Sequence, residues 1–328
     1  MSVTVKVLCN ASTPDAPPVE RRPGYVFTFN SSCDDYDWLV VFDELPFADT
    51  GTFRGGCEPL RCPRANTILC TWEPVSIKSY SRAYTRQFGH YLTNRPPEAE
   101  RHPGYVLGRG YFPWCHGHTA AELKSLPVKT KSVSAVCSAK QMKHTKHASR
   151  FRLISELARE IPDLDWFGWG VKPLEKKFEA LDAYKYHVAV ENHVGVHHWT
   201  EKFADAILCE CLPFYAGDPA IGEIFPKESF IPIPIDDPKA ACKIVAGAIA
   251  SGEYEKRREA ILEAKRLIVE KYNFFDQVIG VIRSADPVTG EAVAAPGRLY
   301  ARRALRRHSP AAALEDGVSH LLRFLHAI

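Results

Sequence analysis

The first third of the chain alternates short apolar runs with polar, turn-forming clusters. Val3–Cys9, Tyr25–Asn30, Trp38–Phe42 and Thr67–Trp72 are rich in Val, Ile, Leu and aromatic residues, and each predicts a strand. Pro-, Gly- and Asp-rich stretches such as 13–18 and 54–59 separate them. A short helix is expected over Ile77–Phe88 and a further strand over His90–Thr93. From Asn94 to Gly117 the chain reads as turns, with Pro96, Pro97, Pro103 and Pro113. A strand over Ser132–Ser138 opens the second half.

There the period lengthens. Apolar residues at 151, 153, 154, 157, 158 and 161 put one face of a helix over His147–Ile161. Leu174–Ala180 predicts a short helix, Tyr186–Val190 a compact strand, and Thr200–Cys209 a helix with apolar positions 203, 204, 207 and 208. Strands follow at Leu212–Tyr215 and Phe230–Ile235, then helices at Asp237–Ser251 and Glu253–Lys271. Strands alternating with helices predict parallel α/β sheets. We expect two Rossmann-like domains, residues 1–130 and 131–284, joined near 118–131 and facing each other across a cleft, followed by a linker and tail over 285–328. No repeat of 20–50 residues is present.

In the tail, Arg298, Arg302, Arg303, Arg306 and Arg307 fall on one or two faces of an expected short helix. Leu314, Val318, Leu321, Leu322 and Leu325 follow at helical spacing. Two readings stand: a helix packed on the body, or a basic amphipathic segment, 298–328, lying on an anionic membrane surface.

Charge and cysteine content narrow the field. Lys and Arg number 42 against 39 Asp and Glu, a net +3, too mild to make nucleic acid the default partner. No apolar run approaches the ~18–20 residues of a membrane-spanning helix, and the opening residues read as a strand and not as a signal peptide. The expectation is a cytoplasmic protein, peripheral on an inner membrane if the tail adsorbs. Ten cysteines spread over 328 residues read as free thiols in a reducing compartment. Cys57/Cys62, Cys209/Cys211, His116/His118 and His197/His198 lack the paired spacing of a zinc site, so no metal is expected. The basic middle of the chain, Arg82 to Lys146, carries no RNA-binding signature beside it.

The most informative stretch runs from Tyr186 to Ile207: a strand ending at Val190, a polar loop from Glu191 to Trp199, and a helix opening at Thr200. Ligands of open α/β sheets bind beyond the carboxyl ends of strands. Thr200 suits an N-cap, and the helix N-terminus offers free N–H groups to an anion, with Lys202 adding a full charge. Glu201 can accept from sugar hydroxyls. Equally, Glu201 fits a favourable first-turn acid and Lys202 a solvated surface residue.

Glu191-Asn192, Glu201-Lys202, Leu212-Pro-Phe-Tyr-Ala-Gly-Asp-Pro219 and Pro226-Lys-Glu-Ser-Phe-Ile231 occur in this order. Together they resemble the donor-binding signature of the α1,3/α1,4-fucosyltransferases, glycosyltransferase family 10. Arg150-Phe-Arg152 and Lys271-Tyr-Asn-Phe-Phe275 resemble further family segments, so the likeness covers residues 132–283. It implies a bacterial-type GT-B enzyme that moves fucose from GDP-fucose to a glycan hydroxyl with inversion and without a metal. GDP-fucose is then a co-substrate, no cofactor is needed, and the acceptor is lipopolysaccharide or another surface glycan. Carried over, Arg150 and Lys202 neutralise the diphosphate, and Asn192, His198, Thr200 and Glu201 hold ribose, phosphate or fucose. His198 stands where many members have Tyr, and Val190 where they have Phe.

Inverting transfer needs a base for the acceptor hydroxyl. The Thr67–Trp72 run stops at Glu73, with Pro74 behind it, and the family has a similar strand-end glutamate. Glu73 is the expected base, and Asp43 and Glu44 are its competitors. The alternatives are the same fold with another nucleotide sugar, or a non-catalytic sugar-nucleotide or glycan-binding protein.

Overall fold

The computed structural model describes residues 2–9, 19–45, 56–74, 77–98, 100–109, 122–139, 146–285, 297–315 and 317–318. The chain forms two compact units, Met1–Gly108 with Phe275–Ile328, and Arg109–Phe274.

The first unit opens with β1 (Val3–Cys9), β2 (Val19–Arg22), β3 (Tyr25–Thr28), β4 (Trp38–Phe42), β5 (Cys57–Pro59), β6 (Thr67–Thr71), the single-turn α1 (Arg82–Thr85), β7 (His90–Thr93) and β8 (Tyr105–Leu107). Seven strands make one sheet in the order β2-β3-β1-β4-β6-β7-β8. Every neighbouring pair is parallel except the β2–β3 hairpin. β4 and β6 are buried along nearly their whole length, which is why they read as unbroken apolar runs. Lys6 of β1 is buried among them, and its ammonium is paired with Glu58 at 2.7 Å.

The second unit contains β9 (Lys131–Val136), α2 (His147–Glu160), β10 (Leu164–Phe167), β11 (Tyr184–Val190), α3 (Glu201–Leu208), β12 (Leu212–Ala216), β13 (Ile231–Pro232), α4 (Pro238–Ala250), α5 (Glu253–Lys256) and α6 (Arg258–Glu270). Its five strands are all parallel, in the order β10-β9-β11-β12-β13. Phe203 of α3 centres an aromatic cluster, with its ring 4.9 Å from Tyr215, 5.2 Å from Phe225 and 6.0 Å from Phe230. The cluster fixes α3 against β12 and so fixes the start of the helix.

The chain ends with α7 (Phe274–Ser284), β14 (Arg298–Tyr300) and α8 (Arg302–His308). The expected boundaries, 1–130, 131–284 and 285–328, group these segments differently from the structure. Phe275 stands edge-on to Phe27 of β3 at 5.0 Å, which places α7 with the first unit. β14 pairs antiparallel with β5, and the Gln87 amide brackets Tyr300, donating to its carbonyl at 3.0 Å and accepting from its N–H at 2.8 Å. The Glu315 carboxylate accepts from the N–H groups of Arg82 and Ala83 at 2.8 and 3.0 Å, capping α1. Residues 297–315 are therefore docked on the first unit, and Arg298 lies in a strand instead of the expected helix.

Three expected helices are shorter or divided. The helix expected over Ile77–Phe88 contracts to α1. That expected over Leu174–Ala180 is a single 3-10 turn, Lys177–Ala180. The long helix expected over Glu253–Lys271 breaks at Arg257.

Candidate functional site

In the second unit all five strands end on one edge. From β9 the chain passes through α2 to β10 on one side, and from β11 through α3 to β12 on the other. The order therefore reverses between β9 and β11, the place where doubly wound sheets bind ligands. Arg150 lies in the first turn of α2, Asn192 two residues beyond β11, and Thr200 at the N-cap of α3.

The structure joins these residues in two groups. The Arg150 guanidinium donates through Nη1 to Asn192 Oδ1, and the Lys146 N–H donates to the Asn192 carbonyl at 3.2 Å. Arg150 is only 7% exposed, and its Nε is buried without a hydrogen-bond partner. A buried cation held by a neutral amide is poised for an anion.

The second group is built on Glu191, fully buried where β11 ends. It accepts from the Thr200 N–H at 2.9 Å and from Thr200 Oγ1 at 2.6 Å, and the Lys202 ammonium is 3.6 Å away. Thr200 Oγ1 caps α3 by accepting from the Lys202 N–H at 3.3 Å, and Lys202 Nζ also donates to Glu201 at 2.7 Å. Gly217 permits this packing, because a Cβ there would collide with Tyr215 and Glu191. Burial raises the Glu191 carboxyl. Burial also opposes ionisation of Glu201, but the Lys202 and Lys177 charges outweigh it and hold that carboxyl well below the usual range. Burial alone would lower Lys202, and Glu201 and Glu191 reverse that effect.

His198 is buried beside this group, with its ring 5.2 Å from His193. Burial, reinforced by His193 and Lys202, pushes His198 down to about 4, so it is neutral at pH 7. Below α3, Lys177 donates to the Glu201 carbonyl at 3.4 Å and is ion-paired with the buried Asp205. Burial raises Asp205 to about 6 against the pull of Lys177.

In the first unit Glu73 lies exposed two residues past β6. Its backbone is clamped from the end of β7. The Arg95 guanidinium donates to the Glu73 carbonyl at 3.1 and 3.0 Å and to Glu100 at 2.8 Å, and Asn94 Nδ2 donates to the Trp72 carbonyl at 3.2 Å. Lys78 is ion-paired with both Asp43 and Glu44, the latter at 3.1 Å.

Sequence reasoning thus named Arg150, Asn192, His198, Thr200, Glu201 and Lys202; the structure pairs Arg150 with Asn192 and, separately, joins Thr200 and Glu201 to Lys202. That reasoning missed Glu191, Lys177, Asp205 and Arg95 as organisers. An acid directly after a buried strand, facing a Thr nine residues on, was the available signal for Glu191. Among the described residues, no group of three or more His, Cys, Asp or Glu is placed to hold a metal. His116 and His118 lie outside them. The nine described cysteines are free, and Cys70, Cys137, Cys209, Cys211 and Cys242 are buried.

The geometry is that of a cation-lined site at the carboxyl edge of a Rossmann-like sheet. Residues 126–244 match the family described as "Glycosyltransferase family 10 (fucosyltransferase) C-term". Over 211 residues the chain is 35% identical to an alpha-(1,3)-fucosyltransferase, FucT, of Helicobacter pylori, a match covering 60% of this chain and 37% of that protein. The chain thus spans little more than a third of the length of that relative. The resemblance read from the motifs is shown: this chain is similar to the family 10 fucosyltransferases. A crystal structure of an alpha1,3-fucosyltransferase with GDP-fucose is 16% identical, with a TM-score of 0.44, over 83% of this chain and 92% of that one. A glycosyltransferase from Rickettsia africae is 7% identical, with a TM-score of 0.46, over 86% and 97%.

Proposed function

We propose that the chain is a GT-B fucosyltransferase that moves fucose from GDP-fucose to a glycan hydroxyl with inversion and without a metal. The observation that carries this reading is the pair of cations, Arg150 and Lys202, set at the carboxyl edge of β9 and β11 within a segment that matches family 10. In this reading both neutralise the donor diphosphate. Asn192, Thr200, Glu201 and neutral His198 bond ribose, phosphate or fucose oxygens.

Glu73 is the base. It takes the proton of the acceptor hydroxyl while that oxygen bonds the anomeric carbon and the bond from that carbon to the phosphate oxygen breaks. GDP leaves with its negative charge on Arg150 and Lys202, which is the charge a metal would otherwise meet. Asp43 and Glu44, both ion-paired with Lys78, are the competing candidates. The acceptor is lipopolysaccharide or another surface glycan, and the site of action is the cytoplasmic side of the membrane. No helix among the described residues is long and apolar enough to cross a membrane.

A thermal-shift screen with GDP, UDP, CMP and TDP compounds tests the donor, because a ligand bound by the folded state alone raises its stability. Selective stabilisation by GDP is expected. Selective stabilisation by another nucleotide favours the same fold with a different sugar donor. Stabilisation by GDP without slow release of GDP from GDP-fucose favours a non-catalytic binding protein.

A second reading concerns the tail. Arg303, Arg307 and His308 of α8 are exposed, as are Leu314 and Val318. These exposed groups suit adsorption to anionic lipid, at about 1 kcal/mol per basic residue. Co-sedimentation with anionic vesicles that falls with salt is the expected result, and none at low salt removes the reading.

A further inference from the structure

Trp169 is 81% exposed, and among the described residues it is the one aromatic side chain in the group of exposed large apolar residues. Its display is built. Gly168 and Gly170 flank it at φ +140° and +82°, a region that favours glycine, and a Cβ at Gly168 would collide with the Cys137 carbonyl. The turn is tied to the end of β9: the Ala139 N–H donates to the Trp169 carbonyl at 3.0 Å, and the Trp166 indole N–H donates to the Cys137 carbonyl at 2.9 Å. It closes on itself through Gly168 N–H to Lys172 carbonyl at 2.8 Å and Val171 N–H to Gly168 carbonyl at 3.0 Å. A Gly-Trp-Gly turn, built on two positive-φ positions that glycine occupies without strain, therefore holds an indole in solvent.

Its place in the fold suggests what covers it. β9, α2 and β10 form one βαβ unit, and Trp169 lies two residues past β10, on the edge that carries Arg150 and Asn192. In such units the diphosphate sits at the N-terminus of the helix, and the residue beyond the second strand reaches the nucleoside. We propose that Trp169 is the stacking platform for the purine base of the donor nucleotide. The proposal rests on the donor-site reading above and deepens it: the cations take the diphosphate and the indole takes the base. Stacking tolerates any base, so Trp169 supplies affinity, and selection among bases falls to groups around the ring edge.

The test is calorimetric titration of the full chain and its Trp169→Ala and Trp169→Phe variants with GDP, GMP and inorganic diphosphate. Trp169→Ala is expected to weaken GDP and GMP by about tenfold or more, to leave inorganic diphosphate unchanged, and to be largely restored by Trp169→Phe. Unchanged GDP affinity in Trp169→Ala overturns the proposal, as does equal weakening of all three ligands. A raised acceptor KM with unchanged GDP affinity gives the ring to the acceptor and also overturns it. If the wild type binds diphosphate but gains nothing from the base, the platform fails and the anion site stands. If it binds neither, the donor reading itself fails.

Discussion

The carboxylate of Glu191 and the ammonium of Lys202 lie 3.6 Å apart, with Thr200 Oγ1 hydrogen-bonded to both. Glu191 is fully buried and Lys202 is 18% exposed, so the strand end fixes the position of the cation that opens α3. Glu191→Ala removes the acceptor for the Thr200 N–H and hydroxyl and one counter-charge of Lys202. We expect a loss of about 3 kcal/mol of stability, the scale for breaking a buried charged network. GDP affinity should fall with it. Urea unfolding within 0.5 kcal/mol of wild type, roughly the scatter of a surface substitution, would show that Glu191 organises nothing.

Acid sensitivity follows from a second buried group. His187 of β11 has its Nδ1 2.8 Å from Ser134 Oγ, and burial, with Lys177 and Lys129 adding, lowers its pKa from 6.5 to about 3. Because the folded value is depressed, between about 6.5 and about 3 the unfolded chain binds a proton that the folded chain does not. Stability contributed by neutral His187 is complete above this window and is lost as pH falls through it, at about 1.4 kcal/mol per pH unit. Asp205, raised from 3.8 to about 6, acts in the opposite sense below pH 6. The clean measurement is therefore the difference between wild type and His187→Gln. Wild type should lose stability relative to the variant as pH drops from 7 to 4.5, and parallel curves would remove His187 as the cause.

The proposed base, Glu73, makes a kinetic prediction. Glu73→Gln keeps size and loses basicity, so kcat should fall by about 10²–10⁴ while GDP affinity barely changes. Turnover within a few-fold of wild type shows that Glu73 is not the base, and Asp43 and Glu44 become the next candidates. Arg95→Lys, which loosens the backbone clamp on Glu73, should lower kcat in the wild type and have little further effect in Glu73→Gln. Full additivity of the two would place Arg95 outside that function.

How much of this was legible in the sequence depended on how far each element decides its own structure. β4 and α2 announced themselves because an unbroken apolar run or a clear helical stripe admits few alternatives, and β1 and β7 because short runs rich in Val, Leu and Tyr between turn-forming residues favour strands. β5 and β14 were not legible: Cys-Glu-Pro and Arg-Leu-Tyr are three residues each and become strands by pairing with each other across most of the chain. β10, Leu-Asp-Trp-Phe, is too short to show a period. α7 was not legible although it has a strong apolar face, because it begins inside the aromatic-rich Lys271–Phe275 segment. At the site, motif order located Arg150, Asn192 and Lys202. Burial located Glu191, because a carboxylate that bonds inward and one that faces ligand look alike in a sequence.

Turnover should also survive EDTA, since in the proposed mechanism Arg150 and Lys202 carry the charge that a bridging metal would meet. Complete loss, restored by Mn²⁺ or Mg²⁺, contradicts that part of the mechanism.

In the proposed mechanism two protein cations, Arg150 and Lys202, hold the diphosphate of GDP-fucose. The direct measurement is release of GDP from GDP-fucose, without acceptor, by wild type, Arg150→Ala and Lys202→Ala, beside GDP-mannose and UDP-galactose as controls. The wild type should release GDP from GDP-fucose above the enzyme-free rate and spare the controls. Each variant should lose about 10–100-fold in kcat/KM, the scale of one charge-assisted hydrogen bond. Release that is indifferent to both substitutions, or confined to a control nucleotide sugar, would contradict the account.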